Sequence, residues 1–139
     1  MLTRRSFLTI SSLAPGLAAD QPAGGAKPLR GIFPILQTPF TEKNRLDLEV
    51  LAKQVEFLDR GGVHGAVWPQ LASEYATLSV EERMAGAETL MAAARDLRLA
   101  VVIGVQAPDV PQAIRYAAHA EKLGADAIIA LPPRNETAE

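Results

Sequence analysis

The chain has 139 residues, of which 48% are hydrophobic and 22% charged, and its formal net charge is −2. This balance fits one globular domain with a buried core, and it gives no reason to expect a nucleic acid or an anionic membrane as partner. Cysteine is absent and only two histidines occur, which excludes disulfides, thiolate chemistry and a histidine-rich metal site.

Residues 1–26 are predicted to be a signal peptide and spacer. Arg4 and Arg5 precede Phe7, Leu8 and a weakly apolar stretch, which is too short and too polar to span a bilayer and ends in alanines. The segment "TRRSFLT" resembles the twin-arginine export signal. We therefore expect a periplasmic or exported protein with no membrane attachment after signal removal, and a cytoplasmic one if the signal is not used.

Residues 27–139 are predicted to form one domain in which short apolar runs alternate with amphipathic helices. The predicted strands are 31–37, 64–68, 99–105 and 125–131, and the predicted helices are 48–60, 80–97 and 110–124. Strands that are apolar throughout are typical of a parallel sheet covered by helices, so the pattern predicts βαβ units. An open doubly wound sheet and a (β/α)₈ barrel both fit, although the chain lacks the glycine-rich motifs of nucleotide-binding versions.

The helix ends carry recognisable signals. Asp47 is a plausible N-cap of the first predicted helix, and Ser79 and Glu82 have the spacing of a capping box at the start of the second. Apolar residues recur every three or four positions along the second helix and are expected to face the core; they are Met84, Ala87, Met91 and Ala94.

Five segments between residues 31 and 133 resemble the dihydrodipicolinate synthase/N-acetylneuraminate lyase family, in the same order and at the same spacing. They are "GIFPILQTPF", "GGVHGAVW", "SEYATLSVEER", "VVIGVQAPDVPQAI" and "AEKLGADAIIALPP". The resemblance implies an α/β fold of the (β/α)₈ TIM-barrel type, of which this chain would form the first four β/α units, a half barrel of parallel strands. It also implies a lyase of the class I aldolase type, in which a lysine forms a Schiff base with a 2-oxo acid, usually pyruvate, before a carbon–carbon bond is broken or made. No cofactor and no metal are expected.

The loop after the second predicted strand departs from the family pattern. Family members typically have Gly-Thr-Thr-Gly-Glu there, and the hydroxyls and N–H groups of that loop hold the pyruvate carboxylate. The counterparts here are Gln70, Leu71, Ala72 and Ser73, followed by Glu74. Two hydrogen bonds to a carboxylate are worth roughly 1.5–3 kcal/mol each, so their loss is expected to weaken binding on the order of a hundredfold. Gln70 and Ser73 are the candidate replacement donors.

Two further positions are assigned to substrate binding by the resemblance. Thr38 ends the first predicted strand, where the family places a pocket residue. Asn135 lies in "PRN", where the family has Pro-Tyr-Tyr and its second tyrosine relays protons. An amide has no proton to give at useful pH, so Asn135 is expected to contact substrate without acid–base work.

The nucleophile is the largest departure. The family's Schiff-base lysine belongs to the sixth strand, whereas the lysines here are Lys27, Lys43, Lys53 and Lys122, none of which sits at the C-terminal end of a predicted strand. No residue is therefore assigned a catalytic role, and the chain as given is expected to be inactive.

Two functions of different class remain open. One is a Schiff-base lyase or aldolase on a small 2-oxo acid, with its lysine outside this chain, and the other is a non-catalytic remnant or binding scaffold. A phosphate-handling barrel isomerase is weaker, because phosphate loops in barrels usually follow strands seven and eight. The open strand edges of a half barrel predict a homo-oligomer.

Overall fold

The computed structural model describes residues 27–131, so the predicted signal segment and Asn135 lie outside the described residues. Three helices alternate with three strands: α1 (Leu48–Arg60), β1 (Gly65–Trp68), α2 (Val80–Ala93), β2 (Ala100–Gly104), α3 (Val110–Leu123) and β3 (Ala127–Ile129). Two short 3₁₀ turns, Leu71–Ser73 and Tyr75–Thr77, lie between β1 and α2.

The strands form one parallel sheet in the order β1-β2-β3. Gly65 pairs with Ala100 and Trp68 with Ile103, while Val102 pairs with Ala127. Parallel pairing through crossover helices confirms the predicted βαβ organisation. The carboxyl ends of the three strands consequently lie at one edge of the sheet, where ligands of such folds bind.

The predicted first strand, residues 31–37, is not a regular strand, which corrects the prediction of four. It runs parallel to β1 but forms a single bridge, between Ile35 and Val67. Leu36 N donates to Val67 O at 3.0 Å and Val67 N donates to Pro34 O at 3.0 Å. The ladder is not continued toward the start of the segment, because Pro34 has no N–H to donate there. The described part is consistent with a fragment of a barrel, and the four-unit half barrel stays a prediction.

The core lies between the sheet and the three helices. Its fully buried members come from α1, α2 and the strands, and each contributes about 1.5–3 kcal/mol through burial; they include Leu51, Val55, Trp68, Leu90 and Val101. The opposite face of the sheet is less covered, because Ile35 is exposed there and Val102 and Ala127 are only half-buried. Side chains at alternate strand positions point to opposite faces, so Val102 and Gly104 face away from this core.

The predicted caps are confirmed. Asp47 Oδ1 accepts from Val50 N at 3.0 Å, and Ser79 and Glu82 form a capping box with bonds of 3.0 and 3.1 Å. The helices end near their predicted limits, although α2 stops at Ala93 instead of residue 97.

The predicted core face of α2 was wrong in part. Ala87 and Ala94 are buried and Met91 packs against the core, as predicted, but Met84 is only half-buried. The buried face of the helix also includes Arg83, Gly86 and Leu90, which were not predicted. The reason is Trp68, whose ring lies so close to α2 that a Cβ on Gly86 would lie 2.2 Å from it. The glycine lets the helix approach this ring, so the buried face is centred on Gly86.

Glu82 joins the loop before α1 to the start of α2. Its carboxylate accepts from Arg45 Nε at 2.8 Å, from Ser79 N at 3.0 Å and from Leu46 N at 3.1 Å. The ion pair with Arg45, followed by the two backbone donors, lowers the pKa of Glu82 from its ordinary 4.5 to about 2.

We predict that Glu82→Gln lowers the free energy of unfolding at neutral pH by on the order of 2 kcal/mol. Because the folded-state pKa lies below the unfolded one, the contribution of the charge is complete above about pH 4.5 and is lost as the pH falls through about 2. Urea unfolding of both proteins from pH 7 to 2 should show the difference shrinking. Glu81→Gln is the matched control, since Glu81 is exposed on the same turn. A difference that does not depend on pH would contradict the prediction.

Lys27 ties the start of the described chain to the sheet. Its Nζ donates to Ala94 O and to Leu99 O, both at 2.9 Å, and its backbone N donates to Asp126 Oδ1 at 2.7 Å. The other oxygen of Asp126 accepts from Val101 N at 2.8 Å. The residue therefore links the end of α2 with the beginnings of β2 and β3.

Candidate functional site

The loop after β1 is held together by Ser73. The Ser73 hydroxyl is fully buried, donates to Leu36 O at 2.5 Å and accepts from Gln70 N at 3.1 Å. The side chain of Gln70 accepts from Leu71 N at 2.6 Å, which completes a capped 3₁₀ turn. The hydroxyl of Ser73 therefore already donates inside the protein, whereas the side chain of Gln70 is engaged through its amide oxygen.

The backbone donors of this loop are also engaged. Between Gln70 and Glu74, four of the five N–H groups donate to acceptors within the loop: besides those of Gln70 and Leu71, Ser73 N donates to Gln70 O at 2.8 Å and Glu74 N to Leu71 O at 3.2 Å. The N–H of Ala72 is the remaining one. Such a loop satisfies most of its own polar groups before any ligand arrives.

Thr38 lies beneath this loop. Its hydroxyl donates to Ser73 O and accepts from Trp68 Nε1 at 3.0 Å. The structure therefore brings Thr38 together with the predicted loop residues, as the resemblance implied, but in a hydrogen-bond network that supports the loop. A direct contact between Thr38 and substrate stays a prediction.

Leu71 and Ala72 form the outer side of the loop. Leu71 is 54% exposed and Ala72 is exposed, whereas Ser73 on the same turn is buried. Glu74, which follows, has a left-handed φ of 52° and is exposed. The loop therefore presents an apolar surface at the carboxyl end of β1.

The end of β2 touches this loop at Gly104. A Cβ on Gly104 would lie 1.7 Å from Pro69 O and 2.6 Å from Gln106 Oε1. Only glycine lets the chain after β1 pass so close to β2. The contact fixes the loop of Gln70–Glu74 against the neighbouring strand.

Arg83 was missed by the sequence analysis, which treated it only as part of a helix. It is 5% exposed, donates through Nη2 to Gly104 O at 2.7 Å and donates through Nη1 to Gln106 O. Its Cζ lies 4.0 Å from the ring centroid of Tyr116 and 5.5 Å from that of Tyr75. Burial lowers the pKa of its guanidinium. No periodicity distinguishes such an arginine from the exposed ones on other helices.

A cavity of about 510 Å³ opens beside Arg83, between α2, α3 and the loops after β1 and β2. Its polar and aromatic lining includes Tyr75, Arg83, Gln106, Asp109, Gln112 and Tyr116. Within residues 27–131, both amide atoms of Gln106, the Nε of Arg83 and the Nε2 of Gln112 are buried without a hydrogen-bond partner. The cavity is thus aromatic around the guanidinium and polar where the amides face it.

None of the four lysines is buried at the carboxyl end of a strand. Lys27 binds carbonyls at the opposite edge of the sheet, Lys53 forms an ion pair with Glu49 on α1, Lys43 is exposed in a loop and Lys122 is exposed in the last turn of α3. The described residues also contain no helix with the length and apolar character of a membrane span, and no cluster of three or more metal-ligating side chains.

Comparison of the sequence with known proteins places it in a family. A sequence profile described as the Dihydrodipicolinate synthetase family matches residues 28–136. The chain is 34% identical over 116 residues to an uncharacterized DapA-like lyase of Thermococcus onnurineus, covering 79% of this chain and 38% of the relative. It is 33% identical over 107 residues to a probable 2-dehydro-3-deoxy-D-pentonate aldolase, YjhH, of Escherichia coli, covering 77% and 35%.

Solved structures agree with these relatives. YagE of E. coli, a dihydrodipicolinic acid synthase family protein crystallised with pyruvate, superposes with a TM-score of 0.74 at 29% identity over 80% of this chain and 37% of YagE. Proteus mirabilis N-acetylneuraminate lyase gives 0.74 at 27% identity, over 80% and 38%. The chain spans a little over a third of the length of these proteins. Family profile, parallel sheet and loop position together show that the chain belongs to the dihydrodipicolinate synthetase family.

Proposed function

We propose that this chain forms the substrate-facing N-terminal part of a Schiff-base lyase or aldolase that acts on a 2-oxo acid, and that the lysine nucleophile comes from outside the chain. Family membership supports the reaction class, since the relatives include an aldolase, a synthase and a structure with pyruvate. The remaining two thirds of the relatives' length has no counterpart here, so the activity of a whole protein is part of the proposal.

The observation that carries the proposal is where the loop and the lysines lie. The loop of Gln70–Glu74 is rigid and lies at the carboxyl edge of the sheet, which is the catalytic side of barrel enzymes. A Schiff-base lysine needs a desolvated amine near that side. Lys27 lies at the opposite edge, Lys53 and Lys122 lie on helices, and Lys43 is exposed to solvent in the loop before α1. The chain therefore provides a substrate-binding surface and lacks a placed amine.

A non-catalytic binding scaffold is the second candidate. It is favoured by the same loop, whose hydroxyl and most of whose N–H groups bind within the protein. Such a protein would keep the fold without the carboxylate grip on which the chemistry depends.

Assembly and location belong to the same proposal. The exposed Ile35 on the less covered face of the sheet and the exposed Ile128 on the edge strand β3 support homo-oligomer formation. Export by the twin-arginine route rests on the sequence of residues 1–26 alone. A small 2-oxo acid is the proposed ligand, with no cofactor, metal or nucleic acid required.

Trapping with borohydride tests the proposal. The purified chain is incubated with pyruvate and borohydride, and its intact mass is compared with that of a sample reduced without pyruvate. We expect no added mass, together with measurable contact between the chain and 2-oxo acids by ligand-observed NMR. A saturable adduct on one lysine would overturn the claim that the nucleophile lies outside the chain. Absence of both adduct and contact would favour the scaffold.

A further inference from the structure

The hydroxyl of Thr38 has one proton, and the protein already uses it. Trp68 Nε1 donates to Thr38 Oγ1 at 3.0 Å, and Thr38 Oγ1 donates to the backbone oxygen of Ser73. An indole N–H can only donate and a hydroxyl has a single proton, so the direction of both bonds is fixed. A carboxylate has no proton to give. Thr38 therefore cannot hydrogen-bond the carboxylate of a 2-oxo acid while these two bonds are in place.

The peptide that receives this proton is held at both ends. Ser73 O accepts from Thr38, and Glu74 N donates to Leu71 O at 3.2 Å. Glu74 has a left-handed φ of 52°, which costs free energy for a residue other than glycine. Because a peptide is a rigid plane, turning this one over would return the φ of Glu74 to negative values and break both bonds. Thr38 thus holds the peptide in the orientation that Glu74 by itself disfavours.

The orientation of this peptide decides whether the turn before it is closed. The bond from Glu74 N to Leu71 O closes the 3₁₀ turn of Leu71–Ser73. Within residues 27–131, the donors that this turn leaves for a ligand are the N–H of Ala72 and the amide nitrogen of Gln70. These donors keep a fixed spacing only while the turn is closed, and donors that are placed before a ligand arrives bind it more tightly.

We propose that Thr38 is a positioning residue, whose hydroxyl locks the Ser73–Glu74 peptide and thereby the turn that meets the substrate's carboxylate. Thr38 serves the 2-oxo-acid site of the proposed function, on which this inference rests. Its role differs from the direct contact that the resemblance implies, because its proton stays on Ser73 O.

Dissociation constants of pyruvate, measured by ligand-observed NMR on the full chain and its variants, test the inference. Thr38→Val keeps the shape of the side chain and removes the hydroxyl, so pyruvate should bind about tenfold more weakly. Thr38→Ser keeps the hydroxyl and should bind within about twofold of the original chain. Thr41→Val is the matched control, since the Thr41 hydroxyl accepts from Arg45 N at 3.2 Å in the loop before α1, and it should leave the affinity unchanged. Circular dichroism confirms that each variant is folded.

Glu74→Gly separates positioning from direct contact. Glycine adopts a positive φ without the cost that other residues bear. The double variant Thr38→Val/Glu74→Gly should therefore recover pyruvate binding to within about threefold of the original chain. A hydroxyl that touched the substrate could not be replaced in this way. An affinity that stays low in the double variant, or one that Thr38→Val does not change, would overturn the proposal.

The backbone of Glu74 in the ligand-free protein gives a readout that does not depend on binding. NMR coupling constants and amide exchange of Glu74 should show one left-handed conformer in the original chain and in Thr38→Ser, and an average over two conformers in Thr38→Val. An average in the original chain would overturn the lock, whether or not Thr38→Val folds. If the original chain does not bind pyruvate, the proposed function fails, and the coupling constants still decide whether Thr38 locks the turn.

Discussion

Gly104→Ala is expected to lower the free energy of unfolding by about 3 kcal/mol. The added Cβ would lie 1.7 Å from Pro69 O, and 2.6 Å from Gln106 Oε1. Gln106 could move, but Pro69 is backbone that leads into the buried turn of Gln70–Ser73, so the strand and the loop have to separate. Chemical unfolding followed by circular dichroism measures the loss.

A matched glycine shows that the effect comes from this contact. Gly61 ends α1 with an ordinary helical φ of −72°, and its added Cβ would come no closer than 3.3 Å to Leu58 O. Gly61→Ala should therefore change stability by less than about 1 kcal/mol. Equal losses for the two variants would mean that the approach of Pro69 to Gly104 is not a stabilising requirement of the fold.

Arg83→Met is expected to have a comparable effect, about 2–4 kcal/mol. The change removes the donors to Gly104 O and Gln106 O and ends the stacking of the guanidinium on Tyr116. Both carbonyls would then be left in a buried place without a donor. Thermal and urea unfolding should both report the loss.

The control for this prediction is an arginine of the same chain. Arg115 lies exposed on α3 and, among residues 27–131, donates only to Gln112 Oε1, at 3.2 Å, so Arg115→Met should change stability by less than about 0.5 kcal/mol. Arg83→Lys is expected to fall between, since one ammonium reproduces the charge but not the planar fork that reaches two carbonyls. A neutral Arg83→Met variant would refute the role given to the guanidinium.

Local signals in the sequence predicted the helices well. The N-caps at Asp47 and Ser79 depend on residues within four positions, and α1 has the bounds that its pattern predicts. The buried face of α2 depends instead on a distant ring, that of Trp68, which meets the helix at Gly86. The spacing of apolar residues within α2 does not reveal a partner from another element, so the predicted core face of α2 was partly wrong.

The irregular first strand shows the same limit on a smaller scale. Its apolar composition correctly predicted a segment beside β1, but the missing N–H of Pro34 interrupts the ladder. The sequence shows the proline, but it does not show which hydrogen bond between the two segments the missing N–H removes.

For the candidate site, the sequence predicted the residues that come together but not what their polar groups do. Thr38, Gln70 and Ser73 lie in one network, yet their hydrogen bonds run inward. Donor capacity can be read from a residue type, whereas its partner depends on the fold. Arg83 shows the converse, because the helix pattern gave no sign that it is buried and links α2 to the end of β2.

The bonds of Lys27 set a limit on how far the amino-terminal region can be shortened. Its ammonium binds the carbonyl of Ala94 at the end of α2 and that of Leu99 before β2, and its own amide donates to the carboxylate of Asp126. A proteolytic or shortened expression product that lacks residues 1–26 keeps these hydrogen bonds of Lys27. Removal of one residue more would release both the end of a helix and the beginning of two strands.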